Sequence, residues 1–232
     1  MAEWLYEAGI GEARAALVEG GAIVEARIEL DDGAPRAGAV LSARLVDASE
    51  GRVALACGGE ALLNGAAGVT QGAQLTVRIV REALTEPGRL KPARAIPVDA
   101  EPGAGLDLLG RITETGIPVR QIRAHDPDLF EAAGWSEILE EARTGDIAFP
   151  GGMLRMIPTA AMTLFDVDGS GDLASLAIAA ATAVARAIRR HDIGGSIGVD
   201  FPTLPDKSAR QAVAAALDTA LPPPFERTTV NG

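Results

Sequence analysis

Three aspartates in the C-terminal half of the chain combine the residue type and the spacing of a metal site. Asp166 and Asp168 stand in the run MTLFDVDGSGD, and Asp200 closes a second apolar run, GGSIGVDF. Mg²⁺ prefers oxygen ligands and keeps several waters, so one or two carboxylates and a substrate phosphate are enough to hold it. The three carboxylates therefore predict a Mg²⁺ site, provided that the fold brings them together.

An alanine-rich helix of residues 172–190 is predicted between the two apolar runs, because apolar residues recur there at four-residue spacing. A strand, a helix and a strand in succession usually form parallel strands joined by a right-handed crossover. Open α/β sheets place their sites at the carboxyl ends of such strands. Asp166 and Asp200 are therefore expected to be neighbouring metal ligands at strand ends, with Asp168 on the face of Asp166.

The first part of the chain predicts strands and a small barrel. Residues 3–30 have the alternation and the turns of a β-meander. Short strands separated by glycine-rich turns follow, which is typical of an OB-type barrel of five strands. The predicted barrel strands are Val40–Val46, Arg52–Cys57, Glu60–Leu63, Gln74–Glu82 and Arg89–Ile96.

The segment after the barrel predicts short helices and a hairpin. Ser136 is expected to be the N-cap of a helix that ends at Arg143. His191, at the end of helix 172–190, is interpreted as a charge complement to the helix C-terminus. The other predicted elements are helices at 106–115 and 207–220, a strand at 119–124, and hairpin strands at 153–157 and 161–167.

Composition limits the classes of function. Apolar residues make up 47% of the 232 residues, which excludes a disordered chain. The net charge of −11 argues against a broad basic footprint for nucleic acid, although a metal-centred phosphodiester site is itself acidic. With 3% aromatic residues, stacking-based binding of single strands is disfavoured. The single cysteine, Cys57, excludes an internal disulfide and a multi-cysteine zinc site, and is predicted to be a core residue.

Targeting signals are not visible in the sequence. The start, MAEWLYEAGIGEAR, lacks the basic and long apolar regions of a signal peptide. No stretch approaches the roughly 20 apolar residues of a membrane span. A soluble, cytoplasmic protein is therefore expected.

Basic residues gather late in the predicted barrel of this acidic chain. They are compatible with solvated strand faces or with an edge that faces RNA, and both interpretations stay open at this point. The residues are Arg78, Arg81, Arg89, Lys91 and Arg94.

The run TLFDVDGSG also resembles the first motif of haloacid-dehalogenase-type phosphatases, in which the first aspartate is a nucleophile and the second an acid/base. Those enzymes carry the motif near the start of a Rossmann-like domain, with a lysine and further acids well downstream. Here 64 residues follow Asp168, and Lys207 is the only lysine among them. That is too little chain for the rest of such a domain, so the phosphatase ranks below the metal site.

Three runs in the C-terminal part resemble the catalytic region of the ribonuclease E/G endoribonucleases: GGMLRMIPTAAMTLFDVD, VARAIRRHDIGG and SIGVDF. In that family a Gly-Gly hairpin leads to a strand with a T-E-A-like step and an I-D-V-N signature. An I-A-R-x-(I/L)-R helix, D-(I/L)-G-G and I-(V/I)-I-D-F follow. Upstream, PDLFEAAGWSEILEEAR resembles a further family stretch, the meander resembles the first strands of its RNase H-like subdomain, and the barrel resembles its inserted OB-type RNA-binding domain.

This resemblance implies Mg²⁺-dependent hydrolysis of single-stranded RNA by a metal-activated water. It implies that Asp166 and Asp200 are the two metal-binding aspartates. Asp168 stands in the place of an asparagine that orients the scissile phosphate, so the chain carries an additional negative charge there. For RNA binding by the barrel, the candidate residues are Arg89, Lys91 and Arg94.

The chain departs from the family pattern in several places. The basic loop after the first signature is shortened to residues 169–172, and Asp200-Phe201 is followed by Pro202-Thr203-Leu204. The segment between the barrel and Phe130 is short for the domain that senses an RNA 5′ monophosphate. The barrel lacks the expected aromatic residues, and the zinc-binding cysteines that link family members are absent, so an oligomer would have to form without them. A non-catalytic RNA- or protein-binding relative is therefore the alternative.

The sequence predicts an α+β fold, with an RNase H-like/DNase I-like mixed sheet and helices and an inserted five-stranded OB-type barrel. The predicted function is a Mg²⁺-dependent endoribonuclease of RNA processing or decay, with single-stranded RNA rather than a membrane as its partner. The predicted domains are 1–34, the first strands of the RNase H-like subdomain; 35–96, the OB-type insert; 97–150, the linker and helical return; and 151–232, the catalytic α/β subdomain.

Overall fold

A computed structural model describes residues 1–65, 68–86, 89–221, 225–228 and 230, with only the backbone of Glu86 and Arg89. The chain has a mixed α+β architecture and divides into two compact units. The barrel unit comprises residues 8–14 and 28–117, and the sheet unit comprises residues 1–7, 15–27 and 118–232. Of the helices in the described ranges, none has the length and apolar character needed to cross a membrane.

The elements of the first half are mostly strands, as predicted. In chain order they are β1 (Glu3–Ala8), β2 (Glu12–Glu19), β3 (Ala22–Leu30), β4 (Val40–Asp47), β5 (Arg52–Leu55), β6 (Glu60–Leu63), β7 (Gln74–Arg81), β8 (Leu84–Glu86), β9 (Arg89–Lys91), β10 (Ala93–Pro97) and α1 (Leu108–Thr113).

A closed five-stranded barrel forms the centre of the barrel unit, in the order β10-β6-β5-β4-β7. Inward-facing residues such as Leu45, Val53, Val77 and Ile79 are fully buried in its core. Alternation of apolar and polar residues along short strands produces this one-sided burial. The prediction of a five-stranded barrel is confirmed.

Two details of the barrel prediction were wrong. The fifth predicted strand is divided at Pro92, which lacks the N–H that a continuous ladder needs. Its first part, β9, pairs with β8 in a separate two-stranded ribbon, while β10 closes the barrel. Cys57 is exposed rather than part of the core, because β5 ends at Leu55 and the chain turns away at Gly58, where φ is +99°.

The elements of the second half supply the sheet unit with its helices, one complete sheet and the edge strand β11 of another. They are β11 (Val119–Gln121), α2 (Leu129–Ala132), α3 (Trp135–Thr144), β12 (Asp146–Phe149), β13 (Gly152–Pro158), β14 (Thr163–Gly169), α4 (Leu173–Arg190), β15 (Ile197–Asp200) and α5 (Lys207–Ala220). The first sheet has the order β11-β1-β2-β3, and β1 runs parallel to β11 with Trp4 opposite Val119.

The core against this first sheet is aromatic. Phe130 of α2 and Trp135 of α3 pack edge to face, with ring centroids 5.1 Å apart. Leu5, Ile122 and Ile138 complete the contact. The run PDLFEAAGWSEILEEAR thus forms two short helices that bury Phe130, Trp135 and Ile138 against the sheet.

The second sheet has the order β12-β13-β14-β15 and carries the predicted aspartates. The pairs β12–β13 and β13–β14 are antiparallel, and β14–β15 is parallel. Helix α4 connects the two parallel strands, so the predicted strand–helix–strand unit is confirmed. Leu176 and Val184 of α4 pack on Leu154 and Phe165 of the sheet.

A pair of glycines lets the first turn of α4 approach this sheet. Gly152 and Gly169 are cross-strand partners in β13 and β14. A Cβ at Gly169 would lie 2.5 Å from Leu176 Cδ1, and one at Gly152 would lie 3.1 Å from the same atom. Both positions therefore require glycine for this packing.

A side chain caps the N-terminus of helix α4. The Asp172 carboxylate accepts a hydrogen bond from the Ser175 backbone N–H at 2.8 Å, which satisfies one of the unpaired donors of the first turn. This bond from the Ser175 backbone, with a second interaction from its side chain, lowers the pKa of Asp172. Asp206, which caps α5, makes no such side-chain bond.

Two local predictions in this unit were wrong. Ser136 is not the N-cap of α3, because Gly134 takes that position with φ +95° and Ser136 Oγ donates to Glu131 Oε2 at 2.7 Å. Strand β12 was not predicted. Its sequence, DIAF, is too short to show a period, and it becomes a strand through pairing with β13.

We expect Asp172→Ala to lower the melting temperature by roughly 2–4 °C at neutral pH, because α4 loses its cap. Since folding lowers the pKa of Asp172, its contribution is present above the ordinary pKa of 3.8 and is lost as the pH falls through the lower folded value. The melting difference should therefore shrink in acid. Asp206→Ala is the matched control and should leave the transition unchanged; an equal loss in both variants would contradict the role of the cap.

Candidate metal centre and its charged row

One transverse row of the second sheet consists of charged residues on all four strands. Asp146 of β12 is in register with Arg155 of β13, Arg155 with Asp166 of β14, and Asp166 with Asp200 of β15. Directly opposed residues of neighbouring strands project from the same face of a sheet. Asp146, Arg155, Asp166 and Asp200 thus form one continuous set, which we call the charged row.

The charged row lies on the face opposite helix α4. Phe165 and Val167 of β14 are buried against α4, and side chains alternate along a strand. Asp166 and Asp168 therefore project from the other face. Asp166 is half-buried, while Asp168 and Asp200 are exposed.

Asp166 and Asp200 have the spacing of a two-carboxylate site. They are partners on neighbouring parallel strands, whose backbones are about 4.8 Å apart. No group of three or more His, Cys, Asp or Glu side chains suited to hold a metal occurs among the described residues. Two carboxylates fit Mg²⁺ nevertheless, since this ion keeps several waters and takes further oxygens from a phosphate.

The position of Asp166 differs from the expectation of a strand end. Strand β14 continues to Gly169, which pairs with Gly152, so Asp166 lies in the middle of the strand. Strand β15 does end at Asp200, and the parallel ladder stops at this pair. Asp168 projects from the same face one step further along β14, beyond the end of β15, with Met153 opposite it.

Arg155 was missed by sequence reasoning. Its Nε donates to Asp146 Oδ1 at 3.1 Å, and 54% of its side chain is exposed. A signal was present, because Arg155 interrupts an apolar strand, MLRMI, which faces a strand with two aspartates. Only the exact register of the β13–β14 hairpin places Arg155 beside Asp166.

The turn at the end of α4 directs the chain into β15. The Ile193 N–H donates to Ile188 O at 2.9 Å, and Asp192 adopts a left-handed conformation with φ +49°. This is the arrangement of a Schellman motif, in which a residue just after the helix reverses the chain. The run DIGG thus ends α4 and starts the approach to Asp200.

Glu141 of α3 fixes the same end of α4. It accepts two hydrogen bonds from Arg190 Nη1, at 3.0 and 2.8 Å, and its Oε2 lies 3.2 Å from His191 Nε2. Burial alone would raise the pKa of Glu141, but the hydrogen bond from His191 and the charge of Arg190 outweigh it, so the pKa is lowered. His191 is the C-cap residue of α4, and its interpretation as a charge complement to the helix C-terminus stays a prediction.

A cleft runs beside β15 and reaches Asp200. Its walls come from α4, α5, β15 and the C-terminal residues 225–228 and 230. Arg227 holds those residues on α5 through two hydrogen bonds to the Asp218 carboxylate, at 2.6 and 2.5 Å. These bonds lower the pKa of Asp218. Asp200 thus belongs both to the charged row and to the residues that line this cleft.

The predicted RNA-binding residues of the barrel unit lie on two elements. Lys91 belongs to the β8–β9 ribbon, where it pairs with Leu84, and Arg94 is exposed on barrel strand β10. Arg89 begins β9, and its side chain lies outside the described residues. Arg81, opposite Arg94, donates to Pro92 O at 2.5 Å and so serves the barrel itself. The role of Arg89, Lys91 and Arg94 in RNA binding stays a prediction.

The fold and the site define an α+β protein with a carboxylate pair on the open face of a mixed sheet. A family model described as Ribonuclease E/G family matches residues 109–232, more than half of the chain. The chain therefore belongs to the ribonuclease E/G family, which indicates a ribonuclease-type function. A comparison with curated proteins found no match.

The matched region contains the whole charged row and excludes the barrel. The family assignment made from the sequence is confirmed. The RNase H-like/DNase I-like character of the sheets and the family origin of the N-terminal segments stay predictions, as do the roles of the individual aspartates.

We expect Glu141→Gln to destabilise the protein by about 1–2 kcal/mol at pH 7, because Arg190 and His191 lose a charged acceptor. The lowered pKa means that this contribution is present above the ordinary value of 4.5 and disappears as the pH falls through the folded value. Denaturant unfolding of wild type and variant should therefore converge in acid. Glu140→Gln, on the exposed side of α3 where Glu140 pairs with Arg143, is the control and should have little effect.

Proposed function

We propose that the protein is a Mg²⁺-dependent endoribonuclease that hydrolyses phosphodiester bonds of single-stranded RNA, in cytoplasmic RNA processing or decay. The observation that carries the proposal is the register pair Asp166–Asp200 within the region that matches the ribonuclease E/G family. Family membership supplies the ribonuclease-type function. The carboxylate pair supplies the ligand chemistry for the metal.

Asp166 and Asp200 contribute the two carboxylates that hold the metal, and their places on paired strands keep the distance between them constant. The chemistry that a bound Mg²⁺ would supply here is an oriented and activated attacking water and stabilisation of the leaving oxygen of the phosphodiester. Asp168 projects from the same face, in the position where the family resemblance implies a phosphate-orienting residue. The exposure of Asp168 and Asp200 leaves room for a polymeric substrate.

The barrel unit binds the RNA substrate in this proposal. We assign RNA binding to Arg89, Lys91 and Arg94, since a basic group in an acidic chain attracts a polyanion locally. The proposed organisation is the predicted one, with strands at 1–34, the barrel at 35–96, the return at 97–150 and the catalytic subdomain at 151–232.

Asp166→Asn and Asp200→Asn should each reduce Mg²⁺-dependent cleavage of a labelled single-stranded RNA by more than about 10²-fold. Loss of a residue that only orients a metal ligand already costs roughly 10- to 100-fold. Asp206→Asn, an exposed aspartate at the start of α5, is the control and should cleave normally.

Retained cleavage in the Asp166→Asn variant would overturn the site assignment. RNA binding by wild type without turnover would instead identify the non-catalytic relative, and hydrolysis of a generic phosphomonoester would identify the phosphatase.

Asp168→Asn should strengthen RNA binding roughly threefold to tenfold, because it removes a negative charge within several ångströms of the proposed phosphate position. The measurement is titration of labelled RNA at constant ionic strength, with Ca²⁺ in place of Mg²⁺. Unchanged or weaker binding would show that Asp168 does not face the phosphate.

A further inference from the structure

We propose that Arg155 is a phosphate-binding residue of this site, whose guanidinium contacts an RNA phosphate beside the metal-binding aspartates. The inference rests on the proposed function, because it takes RNA as the substrate. It assigns to the site a cation that neither the sequence pattern nor the family resemblance identified.

The position of Arg155 is set by pairing on both sides. Asp146 lies opposite it on β12 and Asp166 lies opposite it on β14. Directly opposed residues have Cβ atoms about 4.5–5.5 Å apart and share one face of the sheet. The Arg155 side chain therefore starts next to the proposed metal ligand Asp166 and projects from the same face.

The guanidinium is held on one side and open on the other. Its Nε donates a hydrogen bond to Asp146 Oδ1 at 3.1 Å, and Asp146 is its partner among the described residues. Its two terminal NH₂ groups donate to no protein atom among the described residues, and 54% of the side chain is exposed. A planar fork with fixed orientation and free donors matches the geometry of phosphate oxygens.

Binding of an anionic substrate at the charged row also requires the positive charge of Arg155. Three aspartates and one arginine give the charged row a net charge of −2. A bound Mg²⁺ would bring the row to neutrality, whereas a row without Arg155 would remain negative and would repel a phosphate. Arg155 is the only lysine or arginine in strands β12–β15.

Stability does not account for the residue. The ion pair between Arg155 and Asp146 is exposed on both sides, with 54% and 40% of the side chains accessible. Exposed pairs of this kind contribute little to folding. Asp146 is then a positioning residue, which holds Nε of Arg155 and leaves the two terminal NH₂ groups to donate to a phosphate.

The test compares Arg155→Gln, Arg155→Lys and the control Arg143→Gln, in which an exposed arginine of α3 paired with Glu140 is replaced. RNA binding is measured with Ca²⁺ in place of Mg²⁺ over a range of salt concentrations, cleavage with Mg²⁺ gives KM and kcat, and Mn²⁺ titration gives the metal affinity. We expect Arg155→Gln to weaken RNA binding roughly tenfold or more. The slope of log K against log salt should fall by about 0.7, the value for one phosphate contact with a single strand.

Arg155→Lys should keep the salt slope but lose part of the affinity, since a lysine retains the charge without the planar fork. Arg143→Gln should bind, cleave and melt as wild type does. A merely structural role would lower the melting temperature and leave the salt slope unchanged.

The outcomes separate this inference from the proposed function. If wild type cleaves RNA and Arg155→Gln retains its affinity and salt slope, the inference is overturned while the function stands. If wild type binds RNA without cleaving it and Arg155→Gln loses affinity and slope, the contact stands while the catalytic proposal fails. Absence of RNA binding by wild type would overturn both.

Discussion

The parallel pairing of β14 with β15 is the constraint on which the candidate site depends. Asp166 and Asp200 are far apart in sequence, and this ladder alone makes them partners. Because side chains alternate between the two faces of a strand, a shift by one residue would move one carboxylate to the helix-covered face. Helix α4 must therefore begin and end at defined places, and its N-cap, its Schellman turn and the Glu141 contacts with Arg190 and His191 define them.

Small residues allow helix α4 to pack closely on the second sheet. Gly152 and Gly169 admit Leu176 of α4 to the sheet, and alanines on the helix, such as Ala180, contact it directly. On the opposite face, a Cβ at Gly198 of β15 would lie 3.1 Å from Met162 Sδ. Close packing of this kind resists displacement, since neighbouring groups have no space to relax into. The short edge strand β15 thereby holds Asp200, the proposed metal ligand, in a fixed position.

Much of this arrangement was predictable from the sequence, because it depends on local patterns. The α4 periodicity, the glycine turns and the alternation of β4–β7 each occur within one segment. The missed features depend on partners distant in sequence. Strand β12 forms through pairing with β13, and Arg155 comes beside Asp166 through the register of β13 with β14. Cys57 is outside the core because it lies in the turn between β5 and β6. The sequence predicts a strand end at Asp166, because nothing in the sequence of β14 shows that its pairing with β13 continues as far as Gly169.

The electrostatics of the site link metal binding to substrate binding. The chain has a net charge of −11, and Asp168 adds a negative charge beside a row that is already negative. A polyanion approaching this face without a metal meets repulsion. In the proposed function a bound divalent cation would neutralise the charged row, so that Asp168 remains as an excess negative charge and Arg155 as the local positive group. A bound metal would therefore also favour substrate binding in the proposed mechanism, because it would reduce the repulsion between this face and a phosphate. In that proposal, the metal-loaded state is the one that favours RNA contact with the charged row.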